Sequence, residues 1–185
     1  VVERFWKLVA GVVLACAGSL SFAQPAAPLV PIAQLNVPRY LGQWYEIAKF
    51  PNRFQKQCVT DTSAQYALLP DGKLRVLNRC RLANGEWQQA LGTAYQVGDA
   101  QSARLKVRFA PEWLSFLPFV WGDYWVVDLD DGYELAAVSE PEHEFLWLLA
   151  RSPKVDAQRY TALLSRLAGM GLDVRRLEMT VHSSP

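Results

Sequence analysis

Histidine is almost missing from this chain: His143 and His182 are the only two in 185 residues. With so few histidines and just three cysteines, the sequence lacks the ligand clusters that structural or catalytic zinc requires, and no metal site is expected. No nucleophile elbow or metalloprotease motif is present either. An excess of charge is lacking too, since 19 basic residues against 18 acidic ones leave a formal net charge of +1. No basic patch argues for nucleic acid as a partner. The one sustained apolar run, residues 8–20, is too short to cross a bilayer comfortably. Helical periodicity is absent until late in the chain, so a helical bundle is excluded.

What is there begins with an export signal. Arg4 and Lys7 precede the apolar run, and Ser21-Phe22-Ala23 supplies small residues at the positions a signal peptidase reads. Cleavage before Gln24 makes residues 1–23 a signal peptide. A rival reading uses Val13-Leu14-Ala15-Cys16, which loosely resembles a lipobox and would lipidate Cys16. Residues 24–37 are rich in proline and alanine and form an extended arm. Residues 38–183 suit one domain, near neutral once Glu3, Arg4 and Lys7 are removed. Its aromatic content is high, including most of the seven tryptophans.

The domain reads as short alternating segments bounded by turn residues. Strands are predicted over 44–50, 62–69, 73–81, 86–97, 104–109, 124–129, 133–138 and 145–151. Pro70-Asp71-Gly72, Asn84-Gly85 and Gly98-Asp99 supply turns between them. Eight consecutive antiparallel strands joined this way close into an up-and-down barrel wide enough for one small ligand. One helix follows. Asp156 is positioned to cap it, Tyr160, Leu163, Leu164, Leu167 and Met170 form an apolar stripe, and Gly169 and Gly171 end it. It is expected to lie outside the barrel, followed by a short strand over 176–182. The fold class is therefore all-β, an eight-stranded up-and-down antiparallel barrel with one C-terminal helix packed outside.

Gly42-Gln43-Trp44, placed where the first strand begins, resembles the first motif of the lipocalin family. Topology supplies a check: if the first strand climbs from the closed end, Trp44, the turn Asp130-Asp131-Gly132 and Arg151 all lie at that end. Those positions resemble the family's other two motifs. Leu148-Leu149-Ala150-Arg151 fits well, whereas Asp130 stands between Leu129 and Asp131 in place of the family's threonine and tyrosine. The resemblance implies that Arg151 packs over Trp44 to seal the floor, which makes Gly42, Trp44, Asp130 and Arg151 structural. Residues 39–52 and 145–153 look most like the apolipoprotein D and bacterial outer-membrane group. That likeness implies a non-enzymatic carrier without a cofactor, binding a fatty acid or lysophospholipid for storage or transport in the cell envelope. The expected location is the periplasm or the periplasmic face of the outer membrane, as a monomer or weak homodimer. Haem or pigment carriage is the nearer alternative, and isomerase chemistry through an inward cysteine a more distant one.

Period-two alternation carries the cavity expectation. If Trp44 points inward, so do Glu46, Ala48 and Phe50. The facing sets are Tyr66 and Leu68, Leu74 and Val76, Trp87, Leu91 and Tyr95, Leu105, Val107 and Phe109, and Tyr124 and Val126. This wall is predominantly apolar with a few hydroxyls, as an acyl chain would need; its rival role is simple core. Glu46 is the exception: an inward carboxylate near the floor must be hydrogen-bonded or protonated, and a structural bond to a tyrosine is expected rather than a catalytic use. The loop carrying Trp113, Phe116, Leu117, Phe119 and Trp121 sits at the mouth. It is expected to fold as a lid, pair with another subunit or touch a membrane surface, the alternative being an apolar cluster on the rim. Cys58 and Cys80 both lie at the open end, and in an exported protein a disulfide between them is expected.

Overall fold

The computed structural model describes residues 28–183. The signal segment, Cys16 and the first residues of the arm lie outside the described residues. The chain begins with a single helical turn α1 (Val37–Tyr40), followed by β1 (Gly42–Lys49), β2 (Thr60–Leu68), β3 (Leu74–Arg81), β4 (Trp87–Gln96), β5 (Arg104–Arg108), β6 (Gly122–Leu129), β7 (Leu135–Ser139) and β8 (Leu146–Ala150). Helix α2 (Ala157–Gly169) and the two-residue strand β9 (Glu178–Met179) complete it. Each strand from β2 to β8 pairs antiparallel with the next, β8 pairs with β1, and β1 returns to β2, which closes an eight-stranded barrel. Strand β9 adds to β1 at Ala48 and Lys49.

Two separate cores follow from the alternation. The barrel interior collects Trp44, Ala64, Tyr66, Leu74, Val76, Leu105, Val126, Val138 and Leu149, together with Leu35 and Tyr40 from the entering chain. The second core lies between the outer wall and α2, where Leu163 and Leu167 pack with Ile47, Val127, Leu135 and Leu148. Both leucines are fully buried, and truncating either to alanine costs about 2–5 kcal/mol. Asp156 caps α2 by accepting bonds of 3.0 Å from the amides of Gln158 and Arg159. Arg166 ties the helix to the wall through a two-pronged bond to Asp128 at 2.7 and 2.8 Å.

Three register shifts interrupt the ladder. They fall between Glu46 and Ala48, between Thr60 and Ser63, and between Val126 and Asp128. A bulge of one residue moves every later side chain to the opposite face. The shift at Ile47 therefore exchanges inside for outside half-way along β1.

Candidate functional site

The closed end is built from backbone acceptors around one guanidinium. Trp44 is completely buried, and its indole donates to the carbonyl of Tyr40 at 2.8 Å. Arg151 lies over the Trp44 ring at 4.0 Å. Its nitrogens donate to the carbonyls of Gln43 and Arg39 at 2.8 Å and of Tyr133 at 3.2 Å. Gly42 has φ +96°, and a Cβ there would stand 3.4 Å from Arg151 Nη1, so backbone conformation and space both favour glycine. Asp130 accepts from the amides of Glu134 and Leu135 at 2.7 and 3.2 Å and pairs with Arg159 of α2. It fixes the β6–β7 turn beside the floor.

Above the floor the inner wall is set by cross-strand pairing. Tyr66 stands opposite Val76, Leu68 opposite Leu74, and Leu105 opposite Tyr124. Leu74, Val76, Leu105 and Val126 are buried, while Leu68 reaches the closed rim and is exposed. Val107 packs onto the same cluster. The ring of Phe109 lies over Gly92, where a Cβ would come within 2.8 Å of it. At the centre, the hydroxyl of Tyr124 shares hydrogen bonds of 2.9 Å with Tyr40 and 2.8 Å with Tyr66. Burial pushes the Tyr66 phenol up to about 12 and those of Tyr40 and Tyr124 well above their ordinary value. The three remain neutral and supply hydroxyls without charge.

Five residues expected on this wall lie elsewhere. Ala48 and Phe50 belong to the outer core under α2, because the bulge at Ile47 reverses the alternation. Trp87, Leu91 and Tyr95 also point outward. Strand β4 pairs Gly92 with Val76 and Ala94 with Leu74, so its even-numbered, smaller residues face the lumen. Trp87 instead lies beneath the guanidinium groups of Arg79 and Arg81 at 4.7 and 4.4 Å, and Leu91 is 63% exposed. Trp87 is tolerated on the outside because arginines cover it, and Tyr95 because Trp121 packs against it. Gly92 must be small because Phe109 occupies the space a side chain would need.

Glu46 does face inward, but toward the open end and bonded to Gln55 and Thr180 rather than to a tyrosine near the floor. Its carboxylate accepts from Gln55 Nε2 and Thr180 Oγ1, both at 2.6 Å. Gln55 in turn accepts from the indole of Trp147 at 2.8 Å. Burial holds the Glu46 carboxyl above its usual range, against the lowering effect of those two bonds. After the bulge, Lys49 stands opposite Trp147 on the inner face. Sequence reasoning missed Lys49, Gln55, Trp147 and Tyr40. Only Tyr40 carried a local signal: Asn36 caps a turn with Pro38 inside it, a recognisable helix start.

The loop between β5 and β6 forms two short 3-10 turns, Glu112–Leu114 and Pro118–Val120. Trp121 packs edge-on to Tyr95 at 4.9 Å and beneath Arg108 at 5.0 Å. Since Tyr95 and Arg108 are outward residues, this loop is anchored to the outer wall. Leu117 is half-buried, whereas Trp113, Phe116 and Phe119 are 72%, 75% and 81% exposed. Cys58 and Cys80 form a disulfide with a Cα separation of 5.5 Å.

Comparison with known proteins agrees with this geometry. The sequence model of the lipocalin-like domain matches residues 35–182. Temperature-induced lipocalin-1 of Arabidopsis thaliana is 40% identical over 151 residues, covering 80% of both chains. The chain belongs to the lipocalin family. Among other lipocalins, outer membrane lipoprotein Blc of Escherichia coli K12 is 36% identical over 165 residues, 89% of this chain and 86% of that protein. Mouse apolipoprotein D is 29% identical over 184 residues, 95% and 92% of the two chains. Insecticyanin from the tobacco hornworm superposes with a TM-score of 0.66 at 19% identity, covering 86% of this chain and 87% of that one; the likeness is one of fold.

Deep in the lipocalin's barrel, the inner wall offers van der Waals surface and neutral hydroxyls. Cys80 faces the lumen by register, but its sulfur is bonded to Cys58, and a disulfide sulfur is not a thiolate.

Proposed function

We propose that this lipocalin is an exported carrier, not an enzyme, that holds a single-chain lipid, a fatty acid or lysophospholipid, for storage or transport in the cell envelope. The observation that supports this most is the gradient along the inner wall. Leu74, Val76, Leu105, Val107 and Val126 surround an uncharged tyrosine cluster deep in the barrel, while Lys49 and the hydrogen-bonded Glu46 lie toward the mouth. An acyl chain gains about 0.8 kcal/mol per methylene withdrawn from water, and its polar end then meets polar groups. The kinship with Blc, which is named as an outer membrane lipoprotein, supports the envelope. The test is mass spectrometry of lipid extracted from protein purified without detergent. Acyl lipid close to one per protein is the expected result, and a haem or pigment recovered in its place would overturn the reading.

A second feature supports contact with a membrane surface. Trp113, Phe116 and Phe119 form an exposed aromatic group on one loop, and such groups mark contacts. Changing Phe116, Leu117 and Phe119 to serine should slow lipid transfer from phosphatidylcholine vesicles while leaving affinity for soluble lysophospholipid within a few-fold. An unchanged transfer rate would exclude docking.

A further inference from the structure

The tyrosines deep in the barrel do not balance as a hydrogen-bonded set. Each phenol carries one proton and can also accept. Tyr40, Tyr66 and Tyr124 therefore bring three donors, yet they share two bonds, Tyr40 with Tyr124 at 2.9 Å and Tyr66 with Tyr124 at 2.8 Å. Either Tyr40 and Tyr66 both donate to Tyr124, whose own proton is then spare, or Tyr124 donates to one of them and that one keeps a spare proton. However the protons are arranged, one O–H is left over. The three hydroxyls make no other hydrogen bond among the described residues.

This spare donor borders the lumen. Tyr40 and Tyr66 are buried, whereas Tyr124 is half-buried. Tyr124 stands opposite Leu105 on the inner face, so its remaining surface opens inward. The trio is held rigidly. The Tyr40 ring packs on Trp44 at 4.8 Å and on Tyr66 at 5.4 Å, and Tyr66 meets Tyr124 edge-on at 6.2 Å. Val76, Leu105 and Val126 belong to the same apolar cluster. A hydroxyl in such surroundings is costly without an acceptor, and a hydrocarbon end pressed against it would leave it without one.

The acceptor that fits is set by charge. Burial raises all three phenols and keeps them protonated, so the trio offers a donor and no anion. Arg151, whose charge reaches Tyr40, is stacked on Trp44 and engaged by three main-chain carbonyls. A carboxylate or phosphate on the trio would therefore be buried without a counter-ion of its own. A hydroxyl or ketone oxygen needs none.

We infer that the tyrosine trio is a subsite for a neutral oxygen at the buried end of the lipid. The preferred ligand is then a chain that carries a hydroxyl or ketone at its far end, in addition to the polar group at the mouth. This assignment rests on the carrier reading above.

The experiment titrates the wild-type protein, by tryptophan fluorescence, with dodecanoate and hexadecanoate and with their counterparts bearing a hydroxyl or a ketone on the penultimate carbon of the chain. At the better-fitting length both oxygenated acids should bind about fivefold tighter than the parent, as expected of one neutral hydrogen bond. At a wholly apolar floor the order would invert, because the added oxygen is desolvated without gaining a partner. Replacing Tyr40, Tyr66 and Tyr124 together by phenylalanine keeps the rings, removes every hydroxyl, and should produce that inversion, with a thermal melt to report folding. If the triple variant does not fold, the wild-type titrations decide by themselves. Equal or weaker binding of both oxygenated acids by the wild type overturns the subsite and leaves the carrier reading intact. Tight binding of the hydroxy acid alone would show that the trio accepts a proton rather than donating one, and overturns the assignment of a spare donor. An unchanged preference in the folded triple variant places the oxygen elsewhere and overturns the subsite too. Binding of none of the acids overturns both readings.

Discussion

Replacing Arg151 by alanine should cost about as much stability as losing a large core side chain, with little effect on lipid binding. The guanidinium makes three hydrogen bonds to main-chain carbonyls, at 2.8, 2.8 and 3.2 Å, and covers the Trp44 ring at 4.0 Å. The carbonyls of Arg39 and Gln43 belong to exposed residues, so water replaces part of what is lost, and each bond is worth about 1 kcal/mol rather than its full charged value. The contact with the ring adds about 1 kcal/mol, for a total of roughly 4 kcal/mol. At about 2–4 °C per kcal/mol for a chain of this size, the melting temperature should fall by roughly 8–16 °C. Arg151→Lys keeps a cation near Trp44 but loses the planar fork, and should recover only about 1 kcal/mol. The assay pairs a near-ultraviolet circular dichroism melt with acyl-lipid titration of the folded variant. A loss below about 1 kcal/mol would refute the assignment of Arg151 to the barrel floor. A tenfold fall in affinity at unchanged stability would refute it differently, by showing that Arg151 acts on the ligand.

Glu46 should make stability pH-dependent. Burial raises its folded-state pKa above the ordinary 4.5, despite bonds from Thr180 and Gln55 and the nearby charges of Lys49 and His182. The folded protein therefore holds this proton more tightly than the unfolded chain, and stability falls as pH rises from the ordinary value through the raised one. Glu46→Gln is uncharged throughout, so its melting temperature relative to wild type should be more favourable at about pH 7.5 than at about pH 5; a pH-independent difference would absolve Glu46. The inner register is tested by a pair of substitutions. Val107→Asp should abolish acyl-lipid binding in a folded protein, whereas Leu91→Asp, on the outside and 63% exposed, should leave it within about twofold. Equal effects of the two would show that the lumen-facing strand positions are misassigned.

Much of the fold was legible because its signals are local. Asp71-Gly72, Asn84-Gly85 and Gly98-Asp99 turn the chain where expected, and glycines 72, 85 and 98 take positive φ of 81°, 83° and 96°. Asp156 and the stripe through Leu163 and Leu167 announce α2 through capping and period. Once eight antiparallel strands are counted, closure follows, and closure brings Trp44 and Arg151 to the same end. Residues 176–182 read as a longer final strand than forms. Only Glu178–Met179 pair as a strand with β1, and Val181 makes an isolated bridge to Thr60, because the barrel is already closed beside β1.

Much of the candidate site was less legible, since hydrophobic alternation identifies a strand without saying which face encloses a lumen. On β4 the larger residues, Trp87, Leu91 and Tyr95, suggest the core, yet the inner face is taken by the small Ala90, Gly92 and Ala94, with Phe109 packed over Gly92. The arginines that make the outside habitable for Trp87 come from β3, a neighbour known only after pairing. The bulge at Ile47 is invisible for a similar reason. It leaves Glu46 inside, turns Ala48 and Phe50 toward α2, and brings Lys49 to the inner face. Nothing in Glu46-Ile47-Ala48-Lys49 distinguishes that path from unbroken alternation, under which Lys49 would point into the apolar layer beneath α2. An unpaired ammonium there would be costly to bury. With the bulge, Lys49 reaches Glu178, and the outer layer receives Ala48 and Phe50. The shift thus satisfies both faces of β1 at once, and it also brings a cation to the rim where a lipid headgroup would have to rest.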